Sequence, residues 1–268
     1  MRGWIKTTIV ILSVSNALTA QTEFPSGKPL FPSVTSWYDA GIEQSQADMM
    51  RSLDQPKDQP YQFAIPVMVS LNPANSGFIA GKGGETVWVM AVESKGALSL
   101  NAILSPFNLP DGAYVYIYDA GHEVVRGAYT SGSGSGTLAT LPVPGDKMVI
   151  ECHFPGGKIP ANAIGVSQIA HDFAGFFRLV TSKDLYYGNS GACEIDLNCS
   201  TNQKYLLSSH SVCRLLVAGT ELCTGTLINN TGKDYKPYVI TAQHCIESAG
   251  NASNTIFVFN YKSPWCDG

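Results

Sequence analysis

Hydrophobic and polar positions divide this chain into an apolar start, a polar stretch and two regions of short alternating runs. Thr7–Val14 is apolar, and the sequence that follows is rich in Pro, Gln and Asp, as in Asp54-Gln55-Pro56-Lys57-Asp58-Gln59-Pro60. Within it Ile42–Leu53 fits a short helix; residues 21–60 otherwise read as a loose lead-in. From Tyr61 the texture changes to short runs enriched in β-branched and aromatic residues, separated by Gly, Pro, Asn and Asp. These predict strands at Phe63–Leu71, Thr86–Val92, Ala97–Leu104, Ala113–Tyr118, Glu123–Tyr129, Gly136–Val143, Met148–Phe154 and Ala163–Ile169. Tyr114, Tyr116 and Tyr118 alternate with Val115 and Ile117, the period of a strand with two distinct faces. Asp111-Gly112 and Asp119-Ala120-Gly121 close that run as turns. Many short strands with almost no helical periodicity predict an all-β sandwich over residues 61–178. The tract Ser131–Gly136 reads as a loop inside it, because strands continue on both sides.

Leu179–Asn189 mixes polar and aromatic positions and marks a boundary. A second β region, residues 179–268, then predicts strands at Val212–Val217, Thr224–Ile228, Tyr238–Thr241 and Thr255–Tyr261.

Charge and composition narrow the setting. The formal net charge is −4, with acidic and basic residues scattered and no basic block. Neither nucleic acid nor an anionic membrane is expected as a partner. Residues 1–20 read as an export signal: Arg2 and Lys6 precede the apolar core, and Ala17-Leu18-Thr19-Ala20 ends on a small residue, so cleavage is expected after Ala20. The apolar core is shorter than the roughly 20 residues that span a bilayer. No later segment is long and apolar enough, so no membrane span is expected once the signal is removed. Export permits disulfides. The cysteines are Cys152, Cys193, Cys199, Cys213, Cys223, Cys245 and Cys266; an odd count calls for a missing partner or a free thiol. No CxxC pair occurs, and the histidines do not stand at metal-ligand spacing with the cysteines. Neither a metal nor another cofactor is expected.

The chemistry concentrates in Cys223–Cys245, CTGTLINNTGKDYKPYVITAQHC. Two apolar runs joined by a polar turn predict two strands; a cysteine opens the first and a His–Cys pair follows the second. This segment resembles the first catalytic segment of the chymotrypsin-like (trypsin-fold) serine peptidases, in which TAxHC carries the general-base histidine. GACEIDLNC from Gly191 to Cys199, then CTGTLINN, TAQHC and Phe259-Asn260-Tyr261 ahead of Cys266, follow one another as in the lysyl endopeptidase-like secreted bacterial serine peptidases. The preceding β region resembles their propeptide domain in ALSLNAIL, LPDGAYVYIYD and VPGDKMVIE. The resemblance runs from about Thr86 to the end. TAxHC alone marks the superfamily; GACEIDLNC points to this group.

The resemblance implies that His244 is the general base. A serine hydroxyl needs such a base to take its proton and return it to the leaving amine. The resemblance further implies disulfides Cys223–Cys245 and Cys199–Cys266, with Cys193 pairing to a cysteine in later sequence. Cys152 and Cys213 have no family partner: they bond to each other or stay as buried thiols, the latter favoured by their apolar strands. A protein or peptide is the implied substrate. The propeptide would pack on its own peptidase domain, assisting folding or holding it latent.

The triad is incomplete. The only aspartate after His244 is Asp267, in a turn beside Cys266, and Ser248, Ser253 and Ser263 lack the glycine-rich surround of an oxyanion hole. Four strands also fall short of a closed barrel. The expectation is that the aspartate and serine follow Gly268, and that residues 1–268 alone are inactive. Lysine preference in this family depends on an acidic residue from later sequence, so it does not carry over. The mature start matches near Gly188, where Tyr187 precedes it; Lys183 is the nearest lysine.

Other residues read as structural. His171-Asp172 has no nucleophile near it, His122, His153 and His210 show no partner pattern, and the Tyr114–Tyr118 ladder reads as sheet packing more than a carbohydrate platform. The resulting expectation is the N-terminal portion of a secreted serine endopeptidase precursor. The alternative is a non-catalytic secreted β-sandwich binding protein with a vestigial peptidase segment.

Overall fold

The computed structural model describes residues 9–13, 34–56, 58–82, 84–176, 197–200, 202–262 and 266. In chain order the strands are β1 (Ile9–Ser13), β2 (Tyr38–Asp39), β3 (Tyr61–Gln62), β4 (Ala64–Leu71), β5 (Phe78–Lys82), β6 (Glu85–Glu93), β7 (Ser99–Phe107), β8 (Tyr114–Asp119) and β9 (Val125–Tyr129). There follow β10 (Gly136–Ala139), β11 (Val143–Pro144), β12 (Lys147–Pro155), β13 (Ile164–Asp172), β14 (Val212–Val217), β15 (Glu221–Ile228), β16 (Tyr238–Ala242) and β17 (Thr255–Phe259). Helices α1 (Gln44–Ser52), α2 (Gln203–Ser209) and α3 (Ala249–Ser253) are short, and the fold is all-β. The chain divides into two units, one of Thr19–Asp54 with Phe63–Phe177, the other of Met1–Leu18, Gln55–Gln62 and Arg178–Gly268.

The first unit is a sandwich of two sheets. One runs β10-β7-β13-β4 with β11 also on β7; the other runs β2-β6-β12-β8-β9 with β5 also on β6. Alternation puts Trp88, Met90 and Val92 of β6, Val115 and Ile117 of β8, and Met148, Ile150, Cys152 and Phe154 of β12 on one face. They share a core with Leu100, Ala102 and Leu104 of β7 and Val166 and Ile169 of β13. Val166 and Ile169 differ by an odd number of residues, and a register shift between Val166 and Gln168 lets both point inward. The Trp88 indole donates to the Ser76 carbonyl at 2.8 Å. Gly77 beneath it has φ +69°, and a Cβ there would lie 2.3 Å from the Val89 carbonyl oxygen.

The other face of β6, β12 and β8 is buried too: Val87, Val89, Ala91, Tyr116, Tyr118 and Val149 cluster there, with Val34 and Trp37 against them. Burial on both faces explains why TVWVMAV reads as a continuous apolar run. The expected strand Gly136–Val143 is instead β10 and β11, broken where Pro142 has no N–H to donate. The expected helix is α1, seated by fully buried Ala47 beside Ile65 and Phe173.

In the second unit the sheet order is β1-β16-β15-β14-β17, with β3 also on β15. Cys213, Leu215, Val217, Cys223, Val239, Cys245 and Ile246 form its core. Beyond the four expected strands, β1 pairs with β16 from Ile9 opposite Ala242 to Ser13 opposite Tyr238. β3 pairs with the start of β15. Unpaired backbone groups along β15 and β16 accept such segments, a pairing that local pattern does not announce. The rest of the expected export signal, the lead-in before Val34, and Lys183, Tyr187 and Gly188 lie outside the described residues.

Candidate active site

His244 owes its position to the hairpin of β15 and β16, which pairs Thr226 with Ile240, Leu227 with Val239 and Ile228 with Tyr238. Gly225 in β15 leaves no room for a side chain: a Cβ would meet Val239 Cγ1 at 2.8 Å and Leu215 Cδ2 at 3.2 Å. Core side chains from both neighbouring strands therefore close over it. At the end of β16 the buried Thr241 hydroxyl donates to the Thr224 carbonyl at 2.8 Å, tying the strand end back to β15. After Ala242 the chain enters a 3₁₀ turn, Gln243–Cys245, in which Cys245 is buried and His244 is exposed. Cys245 is bonded to Cys223 of β15, Cα atoms 6.0 Å apart. The turn is thus held by a covalent link on one side of His244 and a hydrogen-bonded threonine on the other, with the imidazole presented to solvent.

An imidazole nitrogen and the sulfurs of Cys223 and Cys245 lie within 4.8 Å of one another. The sulfurs are joined to each other and offer no thiolate, so this trio lacks the donors of a zinc site. An exposed imidazole on a fixed turn can instead accept and return a proton to a bound reactant.

Cys199 and Cys266 form the second disulfide, joining the 3₁₀ turn Leu197–Cys199 to the segment after β17. Cys193 lies outside the described residues. Cys152 and Cys213 are free and buried, so the alternative in which they bond to each other is not what forms. Burial pushes the Cys152 thiol well up and the Cys213 thiol up to about 11. A cavity of about 800 Å³ opens beside β14, lined among others by Cys199, Tyr205, Cys213, Arg214 and Tyr261. His244 does not line it. The Arg214 guanidinium lies 4.9 Å over the Tyr261 ring.

The remaining singled-out residues lie in the sandwich. Asp172, fully buried at the end of β13, accepts from Ser99 Oγ at 2.5 Å and from the Ala174 and Gly175 amides at 2.8 and 2.7 Å. It closes the turn after the strand; burial pushes its carboxyl up, with those hydrogen bonds opposing. His171 Nδ1 lies 2.8 Å from Ser94 Oγ, and burial, then Arg51, lowers its pKa. Tyr116 and Tyr118 are buried, as packing residues are. His153, read as partnerless, is in fact fully enclosed in β12 between two carboxyl groups. Its signal in sequence is Glu151-Cys152-His153, two polar residues on one face of an apolar strand; the second partner, Glu85, is far away in the chain.

Residues 187–268 match the family model of the lysyl endopeptidase C-terminal domain. Over 190 residues the chain is 26% identical to a lysyl endopeptidase of Pseudomonas aeruginosa, a match covering 66% of this chain and 41% of that protein. Over the matched residues the chain resembles the lysyl endopeptidases. The likeness is to a peptidase family, and the segment matched by the family model holds β14 to β17, both disulfides and His244. The chain spans about 41% of the length of that curated relative. No solved structure matches.

Proposed function

We propose that residues 1–268 are the N-terminal portion of a secreted serine endopeptidase precursor, and that His244 is the general base of a Ser-His-Asp mechanism. The observation that carries this reading is the exposed imidazole on a turn pinned by Cys223–Cys245, inside the segment that matches the lysyl endopeptidase C-terminal domain. In this mechanism His244 takes the proton from a serine hydroxyl as that oxygen attacks the scissile carbonyl, then delivers it to the departing amine; an aspartate holds the ring in the required tautomer. The aspartate and serine are proposed to lie outside residues 1–268. Residues 61–178 act as a propeptide on their own peptidase domain, and the substrate is a protein or peptide. Two disulfides fit an extracellular or periplasmic setting. The acidic residue that a preference for lysine would need is proposed, like the aspartate and serine, to lie outside residues 1–268.

The test uses the full secreted gene product and a fluorophosphonate probe. The label is expected on a serine outside residues 1–268, and His244→Ala is expected to reduce peptide hydrolysis by about 10⁶-fold without loss of expression. Full activity in His244→Ala, or labelling that persists unchanged in it, would overturn the assignment.

A further inference from the structure

On the face of β6, β12 and β8 turned away from the sandwich core, both ring nitrogens of His153 meet a carboxyl oxygen. Nδ1 lies 3.0 Å from Glu85 Oε2 and Nε2 lies 2.8 Å from Glu151 Oε1. With both carboxyl groups ionised their oxygens only accept hydrogen bonds, and the ring then satisfies both contacts as the imidazolium, with a proton on each nitrogen. Tyrosines of β8 complete the cluster. Tyr118 donates to Glu151 Oε2 at 2.7 Å and Tyr114 to Glu85 Oε2 at 3.2 Å. The Tyr114 ring stacks on the imidazole at 4.4 Å and 10°, and Tyr116 meets it edge-on at 6.2 Å. The side chains of His153 and Glu151 are 1% and 0% exposed, and that of Glu85 is 32% exposed.

We propose that this cluster is a pH-sensitive latch of the β-sandwich: protonated His153 ties the start of β6 to β12, and loss of the Nδ1 proton releases Glu85, and with it Tyr114. Without that proton a nitrogen lone pair faces a carboxylate at hydrogen-bond distance, which is repulsive. Glu85 is exposed enough to turn to solvent, whereas Glu151 is enclosed and keeps the proton on Nε2. The Tyr114 phenol then loses its acceptor. The groups facing His153 are Glu85 from β6, Glu151 from its own strand, and Tyr114 and Tyr116 from β8. Burial, then Glu85, pushes the Tyr114 phenol up to about 12, and burial, then Glu151, raises that of Tyr116, so neither adds a charge near neutral pH.

Burial by itself disfavours the imidazolium, but the hydrogen bonds it donates to Glu151 and Glu85, together with their charges, outweigh it, and His153 holds its proton more tightly when folded. The latch therefore stabilises the sandwich fully below the ordinary imidazole pKa, and its contribution is lost as pH rises through the higher folded-state value. The sandwich is held in acid and loosened in mild alkali. This does not depend on what the peptidase-like unit does.

The test is an NMR titration of the His153 ring in the whole chain, assigned by comparison with His153→Gln, together with thermal melts from about pH 5 to 9. The ring is expected to titrate above a free imidazole, and its midpoint to move to lower pH in Glu85→Gln. The wild-type sandwich should lose about 2–4 °C of Tm across that midpoint, a step absent from Glu85→Gln. A ring that titrates at or below the free value, or a midpoint unmoved by Glu85→Gln, overturns the latch. Should Glu85→Gln fold poorly, the wild-type titration alone decides.

Discussion

Single residues in this chain are set apart by what surrounds them more than by what they are. Cys152 and Cys223 both sit in strands, yet one is a sealed thiol and the other half of a cystine. The thiolate is the reactive form of cysteine, and burial without a nearby cation withholds it. Cys152 and Cys213 are therefore expected to resist iodoacetamide in the native protein at neutral pH and to be alkylated on unfolding. Peptide mass spectrometry checks this; rapid native labelling of either would show that its strand opens readily. The three sandwich residues His153, His171 and Asp172 carry the same lesson. Each is buried among its own partners, and for His153 the decisive one, Glu85, is 68 residues away.

At the level of elements, the β15–β16 hairpin is what turns a common sequence motif into a positioned side chain. Its tight packing over Gly225, the Thr241–Thr224 hydrogen bond and the Cys223–Cys245 link all act on the turn that bears His244. The disulfide closes a loop with a sequence separation of 22, for which the loss of unfolded-chain entropy predicts a contribution of about 3 kcal/mol. Cys223→Ala with Cys245→Ala should lower the stability of this unit by that amount in denaturant titrations. A loss below about 1 kcal/mol would mean that the hairpin is held by packing alone.

At the level of the molecule, the cysteines are unequally shared. The sandwich unit contains Cys152 and no other cysteine, whereas the peptidase-like unit holds Cys199–Cys266 and Cys223–Cys245. Each unit has its own core. Reduction is therefore expected to lower the melting of the peptidase-like unit by roughly 10 °C or more and to leave that of the sandwich in place. Calorimetry with and without reductant checks it; a reductant-induced shift of both transitions together would refute independent stabilisation.

The all-β class, most strands of both units and α1 were legible in the chain, because alternation and turn residues are local properties that survive whatever the strands pair with. The motif around His244 was legible for the same reason: its cysteines, threonine and histidine lie on one short stretch. Pattern did not reveal α2, the break at Pro142, or the recruitment of Ile9–Ser13 and Tyr61–Gln62 to the second sheet. Those outcomes depend on which edges are open and which faces are covered. The sequence by itself determined that this is a β protein with a histidine-bearing, cystine-framed hairpin. Only tertiary structure decided that Cys152 and Cys213 are free, buried thiols, and that His153 sits between two carboxyl groups. Pairing, burial and the proton balance of a buried cluster are set by distances between segments far apart in the chain.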